Sequence, residues 1–239
     1  MPIRPNTQAF RVAVNGAESR YDAVILGIRR RMTRGLDFTA SYTLAKATSN
    51  IGAASDELDA NYIQDVTNPF ADVQLGPSGR TDARHRVSAT AVIRAPWGLQ
   101  VAPFFLFRSA LPIQTFEGVD LNRDGNNNDI TARAYEYDGD GNAPKEIGEC
   151  KTVNCSRGAK FTQMNLRISK SFRLMGNARL EGIAEIFNLF DALNPAFPQT
   201  SQRLANGVQR AAFMQPTAFA GDFRQPEQRV GQIGFRFSF

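Results

Sequence analysis

The feature that most constrains the fold of this chain is a two-residue alternation of apolar and polar side chains that recurs along its length. In residues 163–172 the two kinds of side chain take turns: Met164, Asn165, Leu166, Arg167 and Ile168. Successive side chains of a β-strand point to opposite faces, so this is the period of a strand. Helical periodicity is nearly absent, and the sequence therefore predicts an all-β chain.

About eight segments have this pattern, and most are near the roughly 9–11 residues with which a tilted strand crosses a bilayer. They are residues 9–15, 21–32, 36–44, 86–97, 99–116, 163–172, 178–187 and 230–239. No run of residues approaches the roughly 18–20 apolar residues of a membrane helix. If the chain crosses a membrane, we expect it to do so with strands.

The links between the predicted strands are very uneven in length. The short links are 33–35, 96–98 and 174–177, and the long links are 49–84, 116–160 and 191–229. Long structureless loops are uncommon in compact domains, whereas short turns at one end and long loops at the other are typical of outer-membrane barrels. We predict an antiparallel transmembrane β-barrel segment of about eight strands with short periplasmic turns and long extracellular loops. A soluble antiparallel sandwich would explain the alternation but not the uneven links.

The chain ends on the same alternation. Phe235, Phe237 and Phe239 share one side of the last segment, and polar residues such as Arg236 lie on the other. By the alternation of short and long links, the short turns share the C-terminal end. Trp97 and Phe172 end their segments there, where the aromatic girdle of a membrane barrel is expected.

Charge and composition exclude some classes of function. The net charge is +5, but the 28 basic residues are scattered among 23 acidic ones, with no basic run. We therefore expect no nucleic-acid partner. The first ten residues lack the apolar stretch and cleavage site of a signal peptide.

Several stretches, in order, resemble the C-terminal barrel of TonB-dependent outer-membrane receptors, in particular the Oar-like group with a carboxypeptidase-regulatory-like N-terminal domain. They are residues 19–48, 81–98, 120–129, 165–174, 184–198 and 234–239. The resemblance implies a wide barrel closed by an N-terminal plug, whose parent protein binds or takes up a ligand. It implies that residues 1–239 are the C-terminal part of such a barrel, without plug domain, TonB-binding segment or signal peptide.

The resemblance also implies partners. In the family the last aromatic residue is part of a signal read by the barrel-assembly machinery, and Phe235, Phe237 and Phe239 match that position. The other expected partners are outer-membrane lipid, an unknown extracellular ligand, and TonB only through the missing plug. Two alternatives stay open: a small self-closing barrel with an adhesive or structural role, and a soluble calcium-dependent β-sandwich binding module.

A calcium loop is the main candidate for a ligand site. Asp120, Asn122 and Asp124, followed by a glycine, copy the first half of an EF-hand loop, and Asp129 is a further candidate ligand. The twelfth position is Thr131 in place of the usual bidentate glutamate. The more economical interpretation is an Asx- and Gly-rich loop tip, so we assign no metal and no cofactor.

The sequence offers little support for catalysis. His85 is the one histidine, Asp82 lies nearby, and no nucleophile motif accompanies them. Glu181 and Glu185 share one side of a strand but lie roughly 13 Å apart, too far for a glycosidase pair. We expect no enzyme activity.

The two cysteines, Cys150 and Cys155, lie five positions apart. Either they form a local disulfide in an oxidising compartment or they are two loop thiols. The disulfide is expected if the chain is exported.

Overall fold

The computed structural model describes residues 18–50, 75–79, 81–121, 127, 129–139, 141–174, 176–220 and 228–239. The strands are β1 (Ser19–Thr33), β2 (Leu36–Ser49), β3 (Gly76–Pro77), β4 (His85–Arg94), β5 (Leu99–Arg108), β6 (Pro112–Ile113), β7 (Arg133–Glu136), β8 (Lys145–Glu149), β9 (Ser156–Arg157), β10 (Phe161–Arg173), β11 (Arg179–Phe187), β12 (Pro195–Pro198), β13 (Pro216–Phe219) and β14 (Val230–Ser238). A 3-10 turn, Pro96–Gly98, joins β4 to β5. Within the described ranges, no helix has the length and apolar composition needed to cross a membrane.

Seven long strands form one antiparallel sheet in the order β1-β2-β4-β5-β10-β11-β14, and the short β3 adds to the end of β2. Each long strand pairs with the long strand that comes before or after it in the sequence. The connections between them are either tight turns or long links that lead back to the adjacent position in the sheet. The prediction of an all-β, antiparallel chain is confirmed. Seven of the predicted segments are long strands of this sheet, and the segment 9–15 lies outside the described residues. Among the described strands the sheet is open, with β1 and β14 at its two ends.

The predicted strand over 99–116 is wrong at its end. β5 ends at Arg108, and Pro112–Ile113 pairs with β9 in a different, smaller sheet. From Leu111 on, the backbone bonds to a different partner: the Gly158 N–H donates to the Leu111 carbonyl, and Pro112 pairs with Arg157 of β9.

The register places apolar side chains opposite one another across the whole sheet. One row of directly paired residues runs through six strands: Leu36, Ile93, Val101, Ile168, Ala184 and Ile233. Residues paired in an antiparallel sheet point to the same side, so the apolar sides of the strands join into one continuous apolar face. The opposite side, which we call the polar face, carries the alternate residues.

The apolar face is not covered by protein within the described part of the chain. Ile93, Ile233 and Phe237 are 41%, 78% and 57% exposed. The buried apolar side chains of the described residues lie elsewhere, in the long links and at the neighbouring end of β2. The core of this molecule is therefore not formed by the apolar side of its main sheet.

The three short turns lie at the edge of the sheet where the C-terminus lies. Thr33 pairs with Leu36, Arg94 with Gln100, and Arg179 with both Arg173 and Ser238. The first turn, Arg34–Gly35, has φ angles of 52° and 81°. A Cβ on Gly35 would lie 2.6 Å from the Arg94 carbonyl oxygen, so this position requires glycine.

The long links contain regular structure where they are described. They hold one four-stranded sheet, β6-β9-β7-β8, and one two-stranded sheet, β12-β13. Val153 and Met214 within them are fully buried. We call the described residues of 75–84, 109–160 and 188–220 the cap. It packs at the edge of the main sheet opposite the short turns.

Candidate functional site

The polar face is a hydrogen-bonding surface that crosses the sheet. Ser41 of β2 and Ser88 of β4 are directly paired, and their hydroxyl oxygens are 2.8 Å apart. Threonines lie beside them at the next paired position, Thr39 opposite Thr90. Such a face suits contact with water and polar solutes, in contrast to the exposed apolar face behind it.

Charged residues on the polar face are paired across β10, β11 and β14. Arg167 Nη1 lies 3.3 Å from Glu185 Oε1, and the Gln232 side chain donates to the other oxygen of Glu185. Arg236 Nη1 lies 3.5 Å from Glu181 Oε2. Glu181 and Glu185 thus lie on the same face in two separate ion pairs, each with its own arginine.

A second set of side chains fastens the cap to the edge of the sheet. The Asp82 carboxylate is 1% exposed, accepts a hydrogen bond from the Ala47 N–H at 2.8 Å, and pairs with Arg157 at 3.2 Å. Asp82 therefore joins the end of β2, the chain leading into β4, and β9. Since Asp82 is almost fully buried, the Arg157 charge and the Ala47 donor are what make its burial tolerable.

The interior of the cap is polar and extensively hydrogen-bonded, although Asn154 Oδ1 and Arg210 Nε are buried without a hydrogen-bond partner among the described residues. The Thr115 hydroxyl lies 2.6 Å from that of Thr131 and 2.9 Å from that of Ser156, which also accepts from the Tyr135 N–H at 3.0 Å. Asn154 connects to β3 by donating to the Pro77 carbonyl at 2.9 Å. These bonds join segments from two of the long links into one unit.

Two aromatic residues of the cap pack together. The rings of Tyr135 and Phe213 are perpendicular, with centroids 5.0 Å apart, and Gln202 donates to the Tyr135 hydroxyl at 3.1 Å. Burial raises the pKa of Tyr135 above its ordinary value. This phenol therefore stays neutral at physiological pH and acts as a structural element of the cap.

The edge with the short turns is rich in exposed aromatic residues. Trp97 is 85% exposed and Phe239 is 98% exposed. The Phe237 and Phe239 ring centroids lie 5.8 Å apart, and Lys170 Nζ lies 5.2 Å from the centre of the Phe172 ring. The aromatic residues predicted for a rim thus share one edge, and a role for Phe235, Phe237 and Phe239 in assembly stays a prediction.

The comparison with protein families decides what this sheet is part of. The model of the outer membrane beta barrel domain family matches residues 1–227. The chain belongs to this family. As an outer-membrane β-barrel chain, it resides in the outer membrane. In outer-membrane barrels, the apolar side of the sheet meets lipid hydrocarbon and the polar side faces inward.

A solved structure agrees with this fold. The barrel chain is similar to the outer membrane transporter YddB from Escherichia coli, with a TM-score of 0.50 and 12% identity over 92% of this chain. The match covers 25% of the transporter, so this chain spans about a quarter of the length of the solved protein. At this identity the likeness concerns the fold alone. No curated protein sequence matches the chain.

The predicted calcium loop is only partly within the described residues. Asn122 and Asp124 lie outside them. The Asp129 carboxylate accepts from the Leu121 N–H at 2.6 Å, and Thr131, at the twelfth position, faces the buried hydroxyl cluster of the cap. Within the described ranges, no group of three acidic, histidine or cysteine residues is placed to hold a metal ion. Calcium binding with Asp120 stays a prediction.

The structure gives His85 and Asp82 different partners. Nδ1 of His85 lies 2.8 Å from the Tyr42 hydroxyl, while Asp82 pairs with Arg157. His85 and Asp82, which lie close together in the sequence, therefore have different bonding partners in the structure.

Cys150 and Cys155 are joined as a disulfide between β8 and β9, with Cα atoms 5.4 Å apart. Its oxidation in the cell stays a prediction, which non-reducing mass spectrometry of the native protein tests.

Sequence reasoning missed the residues that build the cap. Arg157 lies 75 positions from Asp82, and Gln215 bonds to the Gly141 N–H across 74 positions. A single sequence carries no signal for such distant pairs. The one sequence signal for an ordered cap is the composition of the long links. Links rich in Thr, Ser and Asn have side chains that can hydrogen-bond to the N–H and C=O groups of a buried irregular backbone.

Proposed function

We propose that this chain is the C-terminal part of the β-barrel of an outer-membrane receptor, and that the parent protein binds or takes up a ligand in a TonB-dependent manner. The observation that carries the proposal is an open sheet whose apolar face is exposed and whose opposite face pairs charges across β10, β11 and β14. A sheet with lipid on one side and paired charges on the other is suited to line an aqueous passage.

A wide barrel fits this face better than a small one. Arg29 and Arg94 share the polar side of their strands with Glu181 and Glu185. Inside a barrel of eight strands, side chains fill the interior, so every one of these charges would have to be paired away from water. In a wide barrel the same residues meet water. The open edges at β1 and β14 then continue into further strands of the parent.

The orientation and partners follow from the same proposal. The short turns face the periplasm, and the cap faces outward, where an extracellular ligand arrives. Phe235, Phe237 and Phe239 supply the aromatic signal for the barrel-assembly machinery. TonB acts through the plug of the parent. The chain has no catalytic role, no cofactor and no nucleic-acid partner in this proposal.

The runner-up is a small self-closing barrel with an adhesive or structural role. Membership of an outer-membrane family disfavours the third alternative, a soluble β-sandwich module. The two membrane proposals differ in the size of the native product, since 239 residues have a mass of 26.4 kDa.

Immunoblotting of outer membranes with an antibody against the cap tests the proposal. A receptor parent gives a band far above 26.4 kDa. That band should be captured from detergent extracts by the purified periplasmic domain of TonB. A native band at 26.4 kDa that migrates faster unheated than heated, with no capture by TonB, would establish the small barrel.

A further inference from the structure

Two arginines lie side by side where the polar face meets the cap. The register places Thr43, Arg86, Arg108 and Phe161 in one row across β2, β4, β5 and β10. Arg86 and Arg108 are directly opposite each other, so their positive charges face the same space. Like charges directly opposite on a sheet destabilise it, and a pair placed this way calls for a compensating negative charge.

Asp82, four positions before Arg86, already has other partners. Arg157 holds Asp82, and the Ala47 N–H takes its second oxygen. Neither Arg86 nor Arg108 has a carboxylate partner in the part of the chain that the structure describes, unlike Arg167 and Arg236 farther along the same face. The charges of Arg86 and Arg108 are therefore not balanced by a carboxylate within the described residues.

Both guanidinium groups are held in place by contacts on one side. Arg86 Nη2 donates to the Thr81 carbonyl at 3.2 Å, whereas its Nε is buried and has no hydrogen-bond partner. The Arg108 guanidinium lies over the Phe161 ring, 6.0 Å from its centre. A buried donor without a partner is costly, so the Arg86 Nε is free to donate to a group that reaches it.

We propose that Arg86 and Arg108 form a binding site for the carboxylate or phosphate group of an anionic solute that enters through the cap. Planar guanidinium groups bind such anions through paired, charge-assisted hydrogen bonds. The proposal adds a ligand class to the proposed receptor function. It rests on that function because it requires the polar face to line the aqueous passage.

Calorimetric titration of the intact native protein, purified in a non-ionic detergent, tests the site. Inorganic phosphate and citrate are the probes, at constant ionic strength. We expect both to bind, and Arg86→Gln and Arg108→Gln each to weaken binding by about tenfold or more, the effect of losing a hydrogen bond to a charged group. Arg94→Gln is the matched control, since Arg94 lies on the same face of β4 at the opposite edge and should leave affinity unchanged.

Three results would overturn the site. The first is no binding of either anion to the unaltered protein. The second is an equal loss in Arg94→Gln, which would show a general charge effect. The third is binding only after the acids of residues 51–74 are replaced by amides, which would show that this acidic segment neutralises the arginines. TonB capture is independent of all three, so failure of the anion site leaves the receptor proposal separately testable.

A variant that merely unfolds is recognised by its heat-modifiable migration in detergent gels. Arg108→Lys supplies the second check, because it keeps the charge but loses the planar fork. We expect it to bind phosphate more weakly than the unaltered protein and more tightly than Arg108→Gln. Equal affinity of Arg108→Lys and Arg108→Gln, with both as tight as the unaltered protein, would contradict the proposed role of Arg108.

Discussion

The main sheet and the cap are stabilised in opposite ways. In the sheet the backbone groups pair in long ladders, and large apolar side chains such as Leu26 and Ile233 stay 62% and 78% exposed. In the cap the backbone is irregular, and the fully buried side chains include Asn154 and Thr115. The sheet therefore relies on lipid to cover its apolar side, whereas the cap must satisfy its own polar groups within the protein.

The difference follows from the two surroundings. A strand in hydrocarbon has no water to bond its N–H and C=O groups, so it must pair them with neighbouring strands. A cap in water is free to turn irregularly, provided that side chains such as Ser156 and Asp82 bond the backbone that it buries. Substitutions that place a charge on the lipid side of the sheet, or that remove a polar side chain bonded to buried backbone in the cap, should reduce stability most.

The largest effect is expected from a charge on the lipid side. Leu166 and Asn165 are neighbours near the middle of β10 and point to opposite faces. Leu166→Arg should cost about 2–4 kcal/mol, because an arginine at mid-bilayer depth loses its hydration. Asn165→Arg, on the polar face, should cost far less. Urea unfolding of the intact protein in phospholipid vesicles measures both, and equal costs would contradict the assignment of the faces.

The next effect concerns the fastening of the cap. Asp82→Ala should cost about 2–3 kcal/mol, because it leaves the Arg157 charge and the Ala47 N–H without a buried acceptor. The loss should be local, and hydrogen exchange should quicken at Ala47 and around β9 while β10 and β11 remain protected. Asp22→Ala, which removes an exposed pair with Arg20, is the control and should leave exchange unchanged. Uniform loss of protection through the sheet would show that cap and sheet are one cooperative unit.

A smaller effect is expected at the short-turn edge. Gly35 has φ +81° and no room for a Cβ beside the Arg94 carbonyl, so Gly35→Ala should cost about 1–3 kcal/mol. Gly27 in β1 has open space around it, and Gly27→Ala should be close to neutral. Unfolding free energies of the two variants compare them directly. Similar values would mean that the first turn is looser than the structure shows.

The smallest effect is expected from a paired charge on the polar face. Arg236 is 66% exposed on its side chain, and its bond to Glu181 is open to water on the inner side. Arg236→Gln should change stability by about 0.2–1 kcal/mol. A loss similar to that of Asp82→Ala would indicate that this part of the face is closed to water, against a wide barrel.

The sequence predicted the sheet well and the cap poorly, for one physical reason. A strand with different surroundings on its two sides alternates apolar and polar residues, so the faces of β2 and β4 could be predicted from the local sequence. The pairing of Leu36 with Ile93 could not, because a long link separates these two strands. Packing of the cap depends on residues far apart in sequence, such as Thr115 with Ser156. The end of β5 was missed because apolar residues continue past Arg108, and a proline does not mark the end of the strand here, since Pro103 lies within β5.

The central claim is that lipid, not protein, covers the apolar face. Spin labels at Ile93, Leu166 and Phe237 in the intact protein, reconstituted in vesicles, test it most directly by their accessibility to oxygen and to a water-soluble nickel complex. The account predicts high oxygen and low nickel accessibility at these positions, and the reverse at Ser88, Asn165 and Arg236. Labels at Ile93, Leu166 and Phe237 that are shielded from both reagents would show that protein packs against this face, and would contradict the account.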